Sequence, residues 1–219
     1  MPRNTPIRSS ALIPGLCAAL LLAGCAGKAG CPPAGSAVAA PMPDWRDLIS
    51  DPDHVRLRAW RESFVAALDQ ARKDGHGAEI DAAGPLLDPD LALDGATLVE
   101  GAYRCRTIKL GNKVAGHASY VAYPAYPCVV RHGDPVERLA QTEGVQRPIG
   151  RLYQDGTARM VFLGTMELSD EPKAIRYGRD NDRDLVGAVQ RVGDHRWRML
   201  LPRPAWESMM DVMEITPAG

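Results

Sequence analysis

The chain has 219 residues, 45% of them hydrophobic and 24% charged, with a formal net charge of −1. That length holds one domain of ordinary size behind a targeting segment, and a near-neutral chain without a basic patch offers nothing to nucleic acid. With aromatic residues at 5%, it also lacks the interleaved aromatics of a base- or sugar-stacking platform.

The first segment has the parts of an export signal. Arg3 and Arg8 supply the positive start, and Ala11 to Ala23 form an apolar run shorter than the roughly 20 residues a spanning helix needs. The run ends in Leu22-Ala23-Gly24-Cys25, which resembles the lipobox of bacterial lipoproteins. That resemblance implies cleavage after residue 24 and a diacylglycerol on the Cys25 thiol. An ordinary cleaved signal with Cys25 as a bystander is the alternative. Gly30-Cys31 makes a weaker motif, past the apolar run and with Lys28 ahead of it. Ala26 stands where the inner-membrane retention signal of such lipoproteins has Asp, so the resemblance points to the outer membrane and a domain facing the periplasm. From Ala26 to Pro43 the chain is Ala, Gly, Pro and Ser with scarcely a charge, a composition that cannot bury a core. Residues 1–24 therefore read as signal peptide, 25–43 as tether and 44–219 as one globular domain, helical over 44–96 and β over 97–219.

Asp51-Pro52 gives a helix start, a capping carboxylate before a proline. Leu57, Trp60, Phe64, Leu68 and Ala71 then recur at helical spacing, while most of the charges fall off that stripe. One amphipathic helix of about six turns is predicted, stopping at Gly75 or Gly77. A shorter helix covers Ala78 to Ala83, closed by Gly84-Pro85.

After Thr97 the texture becomes short runs of Val, Ile, Tyr and Thr between Gly, Asp and Pro, the signature of sequential strands. The predicted strands are Ala102 to Leu110, Ser119 to His132 with breaks at Pro124 and Pro127, Glu137 to Thr142, Gly150 to Gln154 and Ala158 to Leu168. Leu185 to Val192, His195 to Leu201 and Ser208 to Ile215 follow. Asp155-Gly156 predicts a tight hairpin, and Gly193-Asp194 a second. Arg196 and Arg198 alternate with Trp197, Met199 and Leu201, which predicts one buried and one wet face. The strand through Met160, Val161, Phe162 and Leu163 is apolar on both faces. About eight antiparallel strands without βαβ alternation predict a mainly β, α+β fold. It is a small closed barrel packed with one long and one short helix; a β-sandwich is the alternative.

Cys17 leaves with the signal, and Cys25 is the acylation site. Of the remaining Cys31, Cys105 and Cys128, the last two lie in strand-like segments, and an oxidising compartment favours their pairing. Such a bridge would stabilise by about 3 kcal/mol; two buried free thiols are the other possibility. Cys31 is then the odd thiol.

Gly101-Ala102-Tyr103-Arg104-Cys105-Arg106, Tyr126-Pro127-Cys128, Arg147-Pro148-Ile149-Gly150-Arg151-Leu152-Tyr153 and Val161-Phe162-Leu163-Gly164-Thr165 resemble the bacterial family called domain of unknown function 4893. Arg196-Trp197-Arg198 and Pro204-Ala205-Trp206-Glu207-Ser208 extend the likeness, which covers nearly everything from Trp45 onward. It implies an envelope-associated domain and supplies no catalytic residues.

The five histidines are scattered, without the spacing of a zinc site. Asp180, Asp182 and Asp184 open like a calcium loop, but Leu185 replaces its turn glycine and Arg191 its closing Glu, so the run reads as a solvated turn. No nucleophile elbow is present, and no metal or cofactor is expected. Lysine supplies five of the 26 basic residues, leaving a strand region rich in arginine, the residue suited to bidentate pairing with carboxylate or phosphate. Arg147 and Arg151 are the candidates for an anion site at a barrel mouth; cross-strand pairing with Asp and Glu is the plainer role of such arginines. The sequence thus reads as an envelope lipoprotein whose domain binds, partnered by the membrane through its lipid and by an envelope protein. A carrier of a small apolar or anionic ligand, and an enzyme with an unfamiliar active site, are the alternatives.

Overall fold

Nine antiparallel strands build the domain in the computed structural model, which describes residues 42–219. Cys25, Cys31, the signal peptide and all but the last two tether residues lie outside the described residues. The strands are β1 (Gly101–Asn112), β2 (Tyr120–Ala122), β3 (Tyr126–Arg131), β4 (Arg138–Gln141), β5 (Gln146–Gln154), β6 (Met160–Leu168), β7 (Asp184–Gly193), β8 (Arg196–Pro202) and β9 (Ser208–Pro217). Each strand from β3 to β9 pairs with the next, β3 pairs with β1, and β1 pairs with β9 from Tyr103 to Asn112. Eight strands therefore close into a barrel, and closure excludes the sandwich. β2 is an extra strand, bonded among the described residues to the far half of β1 alone.

Strand alternation divides the apolar residues into two cores. Tyr103, Leu152, Phe162, Val189, Trp197, Met199 and Met213 point inward and fill the barrel with the buried Leu98. Ile108, Tyr153, Val161, Leu163, Val186, Ala188, Leu200, Met210 and Val212 point outward, where the helices cover them. The Phe162 ring occupies the space over Gly150 and Gly164, where any Cβ would collide with it and with the facing strand's backbone.

The single long helix of the prediction is two: α1 (Asp51–Arg58), against β7, and α2 (Trp60–Lys73), against β1, β8 and β9, broken at Ala59. The break lets each piece bury its own face, Asp53 and Leu57 from α1, and Phe64, Ala67, Leu68 and Ala71 from α2. The cap of α1 is Ser50 rather than Asp51, its hydroxyl accepting from the Asp53 backbone N–H at 3.4 Å. α3 (Gly77–Ala83) and a 3-10 turn (Gly84–Leu87) follow.

Arg198 overturns the expected wet face of β8, since the residue is 0% exposed. Its guanidinium donates to the carbonyls of Leu86 (3.0 Å), Asp88 (2.6 Å) and Leu91 (2.7 Å), and to Gln190 Oε1. Burial pulls its pKa down to about 10. Arg198 thus satisfies carbonyls at the end of the 3-10 turn and in the stretch after it, and fastens both to the barrel. Outward arginines elsewhere make the expected cross-strand pairs: Arg106 on β1 and Arg196 on β8 both bind Glu214 on β9, at 2.9 and 2.6 Å.

Three turn details also differ from the prediction. Pro127 lies inside β3, paired with Arg104, because its missing N–H faces the edge just beyond the end of β4. The β5–β6 connection runs over residues 155–159 rather than two residues, and of Asp155-Gly156 only the glycine has positive φ. Asp155 instead anchors Trp45, Arg46 and Arg159. The β7–β8 turn residues are Asp194 and His195, shifted by a bulge between Arg191 and Gly193, with His195 at φ 52. The acidic run before β7 is not wholly solvated: Asp184 is 2% exposed and accepts from Gly178 N–H at 2.9 Å.

Candidate functional site

The two ends of the barrel are built differently. At one end the β3–β4, β5–β6 and β7–β8 connections meet the filled half of the interior. At the other, the β1–β2 hairpin continues beyond the last pairing of β3 with β4, at Cys128 and Gln141. Among the described residues no strand covers the outer edge of β2, so the wall is open between β2 and the β4–β5 turn. A cavity of about 290 Å³ lies inside this opening. Tyr123, Tyr126, Val145, Pro148, Met166 and Leu201 give it apolar walls, and Thr107, Gln141 and Gln146 add neutral polar groups. Gln141 Nε2 donates to the carbonyls of Glu143 and Gln146, which shapes the turn at the rim.

Two charged residues also line the cavity, Lys109 and Asp211. They face each other across the β1–β9 pairing, both on the inward parity of their strands. Lys109 Nζ stands 3.3 Å from Asp211 Oδ2 and 3.0 Å from Glu207 Oε2. Asp211 is 1% exposed, and its other oxygen accepts from the Ser208 hydroxyl. Burial works against the lysine charge, but Asp211 and Glu207 outweigh it and hold Lys109 protonated above the ordinary lysine range. Burial pushes the Asp211 carboxyl up, opposed by Lys109 and Ser208. Glu207 comes from the β8–β9 loop, in which Arg203 and Glu207 both have positive φ, 48 and 61, a conformation that costs a residue with a Cβ. On the far side of Lys109 a smaller cleft runs under the β1–β2 loop past Gly111, His117 and Val121, and Lys109 and Tyr123 line both spaces.

The same end carries exposed apolar side chains on four separate connections: Val114 (49% exposed), Tyr123 (39%), Val145 (69%) and Trp206 (36%). Its long β6–β7 loop is pinned to α1. Tyr177 donates to Asp53 Oδ2 at 2.6 Å, and Asp53 also accepts from Arg56 Nε at 2.8 Å. Burial and the Asp53 carboxylate hold the Tyr177 phenol protonated, well above its ordinary range.

Cys105 and Cys128 form a disulfide, with Cα atoms 5.9 Å apart, joining β1 to β3. Arg147 and Arg151 lie on the outward parity of β5, away from the cavity. Arg147 is occupied by Glu167 (3.0 Å) and by the carbonyls of Gly144 and Leu168, while Arg151 is exposed opposite Arg138. The cation inside the barrel is instead Lys109, which sequence reading passed over. A usable signal was there: Lys109 and Asp211 are single charges with apolar neighbours on either side, Ile108 and Leu110, Met210 and Val212, and such a charge on a buried strand needs a partner. Among the described residues no cluster of three or more His, Cys, Asp or Glu side chains could hold a metal ion, and no helix is long and apolar enough to cross a membrane.

No curated protein and no solved structure matches the chain. A family model described as a domain of unknown function, DUF4893, matches residues 45–215, from Trp45 at the start of the helical part to Ile215, the last buried residue of β9. The helices, the barrel and the Lys109–Asp211 cavity all fall within that span, and the chain belongs to the DUF4893 family.

Proposed function

We propose that this protein is a lipid-anchored envelope protein, acylated at Cys25, whose barrel binds a small ligand. The observation that carries the ligand reading is the cavity of about 290 Å³ at one end of an otherwise filled barrel. Barrels of about eight strands either fill their interior or hold one small ligand, and apolar walls with a few placed polar groups are the usual make-up of a ligand site. The Leu22-Ala23-Gly24-Cys25 motif supports the anchor and an outer-membrane, periplasm-facing location, and the Cys105–Cys128 bridge suits an oxidising compartment. A protein contact at the same end is the second reading, favoured by the exposed Val114, Tyr123, Val145 and Trp206.

Native mass spectrometry of the protein purified gently from its own host's envelope, set against its denatured mass, tests both parts. The denatured mass is expected to include a diacylglycerol on Cys25, and an unmodified Cys25 would overturn the anchor. The native mass is expected to exceed the denatured one by a discrete small-molecule increment. A bare native mass would overturn the carrier reading in favour of protein contact.

A further inference from the structure

The cavity's charge arrangement specifies more than its size. Among the described residues Lys109 is the sole cation that lines it. An ammonium has three N–H donors, and two of its acceptors here are Asp211 and Glu207. These two carboxylates are held very differently. The Asp211 side chain is 2% exposed and is bonded to Ser208 from its own strand, whereas the Glu207 side chain is 46% exposed on a residue at φ 61. Glu207 is therefore the acceptor that water or another anion can replace.

We propose that the ligand is a single-chain monocarboxylate, whose carboxylate takes the place of Glu207 beside Lys109 and whose apolar chain lies along Pro148, Met166 and Leu201. This rests on the small-ligand reading above and names its chemistry. The exchange keeps the ammonium between two carboxylates, and the displaced Glu207 carboxylate turns out to the solvent it already partly meets. A ligand amine would instead set a second cation beside Lys109. The ammonium can be met from inside the barrel, because Lys109 forms the wall shared by the cavity and the cleft. The volume of about 290 Å³ sits at the small end of ligand sites, which begin at roughly 300 Å³. It suits one chain and excludes a two-chain phospholipid.

Isothermal titration of the purified protein with decanoate, decan-1-ol and decylamine tests this. Decanoate is expected to bind at least tenfold more tightly than either of the others. Glu207→Gln, which removes the competing carboxylate, is expected to tighten decanoate severalfold and leave decanol unchanged. The double variant Lys109→Met, Asp211→Leu removes the buried pair without stranding one charge, and is expected to bind decanol and decanoate equally. Decanol entering with no preference for decanoate, or decylamine binding best, would overturn the carboxylate assignment while sparing the small-ligand reading. Failure of all three probes to bind at millimolar concentration would overturn both.

Discussion

One half of this barrel is a packed core and the other a lined hollow, although the same strands build both. In the filled half Phe162 lies over Gly150 and Gly164, and Trp197 meets Tyr103 edge-on at 6.3 Å. In the open half the strands present Thr107, Lys109, Gln141 and Asp211 at inward positions where the filled half has large apolar side chains. The contrast follows from topology. β3 and β4 stop pairing at Cys128 and Gln141, while β1 and β2 continue, so the wall loses a strand where the polar residues begin. A buried ion pair is weak evidence for stability, and under the proposed ligand reading the Lys109–Asp211 pair is the polar end of the site.

Truncating one side chain at each end breaks or sharpens that comparison most directly. Phe162→Ala is expected to cost about 3–5 kcal/mol, the usual penalty for deleting a buried ring. Met166→Ala, at the cavity wall, is expected to cost about 2 kcal/mol, the low end for its type, because it enlarges a space that already exists. Urea unfolding of both variants measures the difference; equal losses would mean that the two halves are equally packed. Between these in size is the bridge that ties β1 to β3 where the wall begins to open. Its cysteines are 23 residues apart, and replacing both by Ala is expected to cost about 3 kcal/mol by loop-closure entropy. Reducing agent should lower the wild-type midpoint by the same amount and leave the double variant unmoved.

The strands were legible because their signals are local: alternating apolar residues, β-branched content and turn residues placed seven of the nine singly and read β2 and β3 as one interrupted segment. What escaped was what covers a face. Periodicity says that Arg198 and Trp197 point to opposite sides of β8, but not that the segment from Leu86 to Leu91 lies over the arginine. The same holds for α1 and α2, whose break at Ala59 reflects two different packing surfaces. The site escaped for a related reason. Lys109 and Asp211 are 102 residues apart in the chain and meet only because β1 closes on β9. Arg147 and Arg151 stood out by residue type, yet strand parity turns both outward.

The smallest expected effect lies at the filled end, where Asp155 ties the start of the helical part to the β5–β6 loop. Burial alone would raise its pKa, but Arg159, Arg46 and Trp45 outweigh that and hold it below the ordinary aspartate value. A carboxylate depressed on folding adds stability that is fully present above its unfolded pKa, 3.8 here, and is lost as pH falls through the folded value. Asp155→Asn should therefore lower stability at neutral pH by less than about 1 kcal/mol, as for partly solvated ion pairs. The wild-type and variant curves should converge below pH 3.8. Urea midpoints from pH 7 down to pH 2 would show it, and a gap that persists at the acid end would mean that Asp155 acts through the shape of its loop rather than its charge. Because that anchor is distant from the hollow, the variant should leave decanoate affinity unchanged, which separates the support of the filled end from the chemistry of the open one.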